Sequence, residues 1–312
     1  YHCLAFQDHL FRTCRRLVHG HWIAGEKFRD LTEPGMFVTL DEKSDYDAQN
    51  VFRSDAWVDY SEQKLNEFLC QVLARKLQIP QAYSFLSVYS KQIFLPADQS
   101  KALKILDLGG GVGQVFPALR HLMNVTRGKM GIDYTVIDND KACQRGREIF
   151  SGNRPIYLAD SGAKTSISEI LLEADNVQFI TSPNDLEADI DVLICAITLP
   201  YIDNLSAIIA LIEKNKPRFV FFTCFLAHDG DQSISLAQIF PDHRAYINVT
   251  AHSTTQIASS LVDLGYQSMT ATGNYEIEDV EGFSETFKQL HPGVRMVDLC
   301  FSSSVLPQKF MA

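Results

Sequence analysis

The chain has 312 residues, 46% of them hydrophobic, and a formal net charge of −10 at pH 7. That length and apolar content suit one large domain, or one domain with an appendage, around a substantial core. The acidic balance, with lysines and arginines scattered rather than clustered, leaves no footprint for a phosphate backbone and argues against a nucleic-acid partner. No apolar stretch reaches the ~18 residues needed to span a bilayer, and no signal peptide is recognisable.

The seven cysteines, Cys3, Cys14, Cys70, Cys143, Cys195, Cys224 and Cys300, are odd in number and widely spaced. They form no Cys-x-x-Cys pair and no short Cys/His spacing, so the expectation is reduced thiols in a cytoplasmic protein without a metal site. His2, His9, His19 and His21 likewise show no ligand spacing.

Residues 1–100 read as a helical N-terminal extension or lid, and residues 101–312 as the main domain. Apolar residues recur at helical intervals over 4–18 and again over 61–77, where Ser61 is the expected N-cap and Pro80 marks the end. Between these helices, residues 33–60 read as a loop. Its Tyr46, Trp57 and Tyr60 either cover a ligand or anchor the extension on the main domain.

From Ala102 onward strands and helices alternate, the pattern of a parallel sheet with helices on both faces. The first strand, Lys104-Ile105-Leu106-Asp107-Leu108, breaks into Gly109-Gly110-Gly111-Val112-Gly113 where a helix over 113–124 should begin. Glycines at such a turn let the backbone approach a ligand closely. Gln114 and Val115 follow Gly113, so no Lys-Ser or Lys-Thr pair closes a phosphate loop. The sixth position from Gly109 is Gln114, so the dinucleotide spacing Gly-x-Gly-x-x-Gly fails as well.

What remains, a strand ending in Asp107-x-Gly109-Gly110-Gly111-x-Gly113, resembles motif I of the Rossmann-like S-adenosylmethionine (SAM) methyltransferases. The resemblance implies that Gly109, Gly110, Gly111 and Gly113 pack against the amino-acid end of SAM and that Asp107 helps to hold its ammonium. A carboxylate there suits a cation better than a phosphate.

The second strand, 133–137, ends at Asp138-Asn139-Asp140. An acid at that tip can accept hydrogen bonds from both ribose hydroxyls of a nucleoside lying across the first two strands. Asp138 is the first choice and Asp140 the second, with Asn139 beside them. A helix over 141–150 follows, then an insertion over 151–175 with a short helix near 167–172. Further strands are expected over 176–181, 191–197 and 218–224, with helices over 205–214 and 254–264. Two last strands, 266–272 and 294–301, are joined by a long acidic loop and can pair antiparallel. This gives an α/β, doubly wound, mostly parallel sheet of seven strands with its last pair antiparallel. The resemblance orders it 3-2-1-4-5-7-6.

Ligands of such sheets lie beyond the carboxyl ends of the strands near the switch in strand order. Besides the first two tips, this selects Ser182 and Asn184, which either meet the adenine edge or cap an ordinary turn. It also selects Thr198-Leu199-Pro200-Tyr201, where the resemblance places the transferring methyl group, with Thr198 and Leu199 at the cofactor and Tyr201 at the acceptor. After the fifth strand, His228 is the candidate base and Asp231 its acidic neighbour, since histidine titrates near neutrality. The competing reading of His228 is a loop residue without a role, and His243 and His252 are its rivals.

More widely, the pattern is similar to bacterial methyltransferases of surface-polysaccharide and small-molecule biosynthetic clusters. It shares with them the aromatic segment 46–60, Leu106-Asp107-Leu108-Gly109-Gly110, Val136-Ile137-Asp138, Leu199-Pro200-Tyr201-Ile202 and Gly265-Tyr266. Cys224 stands where that group has a proline. The implied activity is methyl transfer from SAM, yielding S-adenosyl-L-homocysteine (SAH), to a hydroxyl or amine of a small-molecule acceptor such as a sugar or secondary metabolite. A non-catalytic SAM-binding scaffold is the alternative, and an NAD-linked oxidoreductase is disfavoured by the glycine spacing. The N-terminal helices offer a homodimer contact.

Overall fold

The computed structural model describes residues 36–43, 47–48, 51–79, 81–94, 101–127, 130–157, 164–186, 189–202, 204–240, 245–269 and 285–303. The helix expected over 4–18, together with Cys3, Cys14, Tyr46, Pro80, His243 and the four N-terminal histidines, lies outside the described residues.

Two short strands, β1 (Met36–Val38) and β2 (Asp47–Ala48), precede helix α1 (Asp55–Leu73) and the single-turn helices α2 (Ser84–Val88) and α3 (Ser90–Ile93). The alternating part runs β3 (Leu103–Leu108), α4 (Phe116–Arg127), β4 (Ile132–Ile137) and α5 (Asp140–Phe150). A small ribbon follows, β5 (Ile156–Tyr157) with β6 (Lys164–Thr165), and then β7 (Asn176–Ile180), β8 (Val192–Ala196), α6 (Leu205–Asn215) and β9 (Phe219–His228). The chain continues through β10 (Ile234–Phe240), β11 (Ala245–Ser253), α7 (Thr254–Asp263), β12 (Tyr266–Ser268), α8 (Glu285–Leu290) and β13 (Arg295–Ser303).

Eleven strands form one α/β sheet, mostly parallel, along the path β1-β10-β11-β9-β8-β3-β4-β7, with β13 and β12 branching from β9 and β2 from β11. The expectation of seven strands in a single order is thereby corrected. The expected neighbours are present within this larger sheet: β7, β4, β3, β8 and β9 are parallel in that order, and β13 runs antiparallel to both β9 and β12. The added strands arise because β9 does not stop at Cys224. It continues to His228 with all ten residues buried, and its end pairs in parallel with β11.

A bulge carries β9 through that point. Thr223 and Cys224 oppose the single residue Asp298, Cys224 takes φ +51°, and its N–H donates to Asp298 Oδ1 at 2.7 Å. A left-handed residue at a bulge increases the local twist and re-aims the strand. The β10–β11 extension grows from there, and β1 covers its outer edge.

α1 begins seven residues earlier than expected. Ser54, rather than Ser61, caps it by accepting the Trp57 N–H at 3.2 Å, so Trp57, Tyr60 and Ser61 are helical. Its Leu65 and Leu69 are fully buried and pack with Val112, Ala142 and Ile149, which seats the helix against the glycine loop and α5. The apolar β9 run Phe219-Val220-Phe221-Phe222 is buried on both faces, as a central strand requires.

Candidate functional site

The site begins where β3 runs out. Gly109 and Gly111 take φ of +72° and +60°, and neither has room for a side chain. A Cβ on Gly109 would lie 2.2 Å from Thr198 Oγ1, and one on Gly111 2.1 Å from Ser61 Oγ. The loop of Gly109, Gly110, Gly111 and Gly113 is thus held between the tip of β8 and the first turns of α1. Ser61, 1% exposed, accepts the Val112 N–H at 3.1 Å and donates to Gln114 Oε1 at 3.1 Å.

Beneath the loop, Asp107 is buried and accepts the Tyr134 hydroxyl at 2.5 Å. Burial pushes its pKa up to about 7, partly offset by the Tyr134 hydrogen bond. A buried acid poised near neutrality gains most from a nearby cation, which favours its charged form.

At the next tip, Asp138 is half-buried and joined to the loop. Its Oδ2 accepts the Gly111 N–H at 2.8 Å, and its Oδ1 accepts from the Asn139 backbone at 2.6 Å and from Asn139 Nδ2 at 2.7 Å. Burial raises its pKa, opposed by these donors. A carboxylate has about four lone-pair positions, so acceptor capacity remains for ligand hydroxyls. Asn139 also caps α5 through Oδ1 and donates from Nδ2 to the Phe52 carbonyl at 3.0 Å. Asp140 is the exposed first residue of that helix.

The tip of β8 is strained. Ile197 takes φ +66°, and its N–H donates to Thr223 O at 2.8 Å. For a β-branched residue this conformation costs roughly 1–3 kcal/mol and is characteristic of functional turns. It delivers Thr198 against Gly109 and starts the 3-10 turn Leu199–Tyr201. Tyr201 donates to Gln238 Oε1 at 3.0 Å, and burial raises its pKa, so the phenol stays protonated at neutral pH and forms a wall. An edge-to-face pair joins Tyr201 to Phe52 at 4.6 Å, and Phe52 meets Trp57 at 4.7 Å, with Tyr60 beyond. The aromatic segment therefore roofs the loop tips.

These tips bring Asp107, the four glycines, Asp138, Asn139, Thr198, Leu199 and Tyr201 into one region. Ser182 and Asn184 form a turn just past the end of β7, whose Ile180 carbonyl accepts the Asp138 N–H at 3.3 Å; the Ser182 hydroxyl accepts the Asn184 N–H at 3.2 Å and Asn184 is exposed. His228 is the last residue of β9, five residues past Thr223, the partner of Ala196 at the end of β8, and on the far side of the bulge. Its neighbour Ala227 pairs with His252 of β11. There His228 Nδ1 accepts the Gly230 N–H at 2.9 Å, so the neutral ring carries its proton on Nε2, which is buried and meets no partner among the described residues.

Asp231 is exposed and lines an open depression of about 320 Å³ with Asn204, Ser206, Thr250, His252 and Gln256. His252 reaches the β8 tip itself. Its Nε2–H donates to the Leu199 carbonyl at 3.0 Å, and burial lowers its pKa, keeping the ring neutral. Sequence reasoning missed Ser61 and Phe52 as site residues. The Ser54-Asp55 step was the available signal, because a cap there places Phe52 before the helix and Ser61 within it.

Among the described residues no cluster of His, Cys, Asp and Glu has metal-site geometry, and no helix is long and apolar enough to cross a membrane. Cys143, Cys195, Cys224 and Cys300 are buried free thiols, and Cys70 is a half-buried one.

No protein-family model matches the chain, and no curated protein does. Among solved structures, the chain is similar to a SAM-dependent methyltransferase from Mesorhizobium loti, at 10% identity over 68% of this chain and 95% of that one (TM-score 0.36). It is similar to an arsenic(III) SAM methyltransferase from Chlamydomonas reinhardtii, at 12% identity over 74% of this chain and 76% of that one (TM-score 0.44). A third is the magnesium protoporphyrin IX methyltransferase of Synechocystis PCC 6803 with bound SAM, at 14% identity over 82% and 100% (TM-score 0.38).

Proposed function

We propose that this chain is a SAM-dependent methyltransferase that acts on a hydroxyl or amine of a small molecule such as a sugar or secondary metabolite. The observation that carries this reading is the geometry of the Asp138 carboxylate. It is half-buried and tied to the Gly111 N–H at 2.8 Å, at the end of the strand next to a glycine loop that lacks both phosphate-binding spacings. Residues placed this way suit a nucleoside with a cationic amino-acid end.

In this reading Asp138 takes the ribose hydroxyls, and Asn139 fixes the carboxylate plane. Asp107, poised by burial and Tyr134, receives the ammonium. Gly109, Gly110, Gly111 and Gly113 allow close backbone approach, and Thr198 and Leu199 line the reacting end. Bound SAM would supply an electrophilic methyl group on a sulfonium. Tyr201, Phe52 and Trp57 exclude water from the acceptor side and align the acceptor, the main requirement of an in-line displacement. Residues 1–100 act as the lid and residues 101–312 as the cofactor-binding domain.

A second reading, SAM binding without turnover, is favoured by the engagement of the polar side chains at the β8 tip, where Tyr201 donates to Gln238 and His252 donates to the Leu199 carbonyl. Incubation of the protein and methyl-labelled SAM with a small-molecule cell extract separates the two. Label in an extractable product supports the enzyme. Binding of SAM with no transfer supports the scaffold.

A further inference from the structure

Helix α1 is fastened in two different ways along its length. Its second half is held by apolar burial, with Leu65 and Leu69 at 0% exposure and Phe68 beside them. Its first two turns are held largely by charge. Asp55 pairs with Lys141 at 2.7 Å, Asp59 with Arg145 at 2.9 Å, and Glu62 with both Arg145 and Arg154, the latter at 2.7 Å. The acids at 55 and 59 and the bases at 141 and 145 each stand four residues apart, so two facing helix surfaces engage like a ladder. The outer rung is exposed and worth little, whereas Glu62, with two arginines and little exposure, is the inner fastening.

These two turns and the 3-10 turn Val51–Arg53 before them carry the residues that lie on the glycine loop and its neighbour. Ser61 takes the Val112 N–H, and the Phe52 carbonyl is tied to Asn139 beside Asp138. Val51 and Val58 are the buried apolar residues of 51–62, with Phe52, Trp57 and Tyr60 half-buried, whereas the second half of α1 buries the larger Leu65, Phe68 and Leu69. Local opening free energies follow such differences.

We propose that residues 51–62 form a charge-fastened latch over the nucleoside site that opens without the rest of α1, and that Ser61 is the positioning residue that sets the glycine loop when the latch is shut. The inference rests on the cofactor reading above for its purpose, but not for its mechanics. Salt screens the ladder while leaving the apolar half seated.

Hydrogen exchange on the full chain, without ligand, tests the mechanics. Amides of 51–62 should exchange faster than those of 65–73, and high salt or Arg145→Gln should speed them on the order of fivefold while 65–73 is unchanged. Arg145→Lys should restore the slow rate. SAH association, followed by stopped flow, should accelerate under the same conditions, and Ser61→Ala should speed SAH dissociation without faster exchange at 65–73. Exchange of 51–62 and 65–73 at one common rate, indifferent to salt in the unmutated protein, would overturn the latch. Absence of any SAH binding would instead overturn the cofactor reading, and the exchange rates would still decide the latch.

Discussion

The Gly111 N–H donates to Asp138 Oδ2 at 2.8 Å, so the glycine loop after β3 and the acid after β4 are one structural unit. Replacing Asp138 with Asn keeps its shape but removes charge and forces an amide group toward one of its three donors. A hydrogen bond to a charged group contributes about 1.5–3 kcal/mol, which sets the scale of the loss. SAH should therefore raise the melting temperature of the unmutated protein and hardly change that of Asp138→Asn. Equal thermal shifts in the two proteins would remove Asp138 from the site.

Gly111→Ala is expected to be severe for two independent reasons. The position needs φ +60°, and a Cβ there would lie 2.1 Å from Ser61 Oγ. A non-glycine residue in that backbone region costs roughly 1–3 kcal/mol, before the steric displacement of Ser61 is added. Urea unfolding should show a loss of at least that size. Gly111→Ala/Ser61→Gly should recover part of it, because the double variant removes the clash and leaves the backbone cost.

The Asp107 carboxyl, pushed up to about 7 by burial, binds a proton more tightly when folded than when unfolded. Its contribution to stability is fully present below its ordinary range near 4 and is lost as pH rises through about 7. Relative to the unmutated protein, Asp107→Asn should thus gain stability as pH rises from about 4 to about 7. Binding a cationic amino-acid end reverses the preference, so SAH affinity should rise with pH through neutrality and binding should release protons. Calorimetry in buffers of different ionisation enthalpy reads that release. A pH-independent affinity would separate Asp107 from the ligand.

Asp298 accepts the N–H of Cys224, the left-handed residue of the β9 bulge. Asp298→Ala leaves a buried donor without this acceptor, at a cost of about 1–3 kcal/mol. Denaturant titration should show that loss. An unchanged midpoint would mean that the bulge does not depend on this carboxylate.

The strand tips were legible in the sequence because a glycine turn and a terminal acid are local signals. Asp107, Gly109 to Gly113 and Asp138 fall where strand ends place them. The β9 bulge was not legible, because Cys224 is held by Asp298, 74 residues away. With a strand expected only over 218–224, the sequence shows no strand between it and the helix expected over 254–264, where the structure has the rest of β9 together with β10 and β11. The start of α1 was missed for a local reason. Trp57 and Tyr60 read as loop aromatics, and the cap at Ser54 was passed over in favour of Ser61, which instead faces the glycine loop from within the helix.

A crystal structure with SAH bound tests the central claim most directly. The account predicts both ribose hydroxyls within hydrogen-bond reach of the Asp138 carboxylate, at roughly 2.5–3.0 Å, and the amino-acid end beside Asp107 and the glycine loop. SAH seated elsewhere, with Asp138 still bonded only to Gly111 and Asn139, would contradict it.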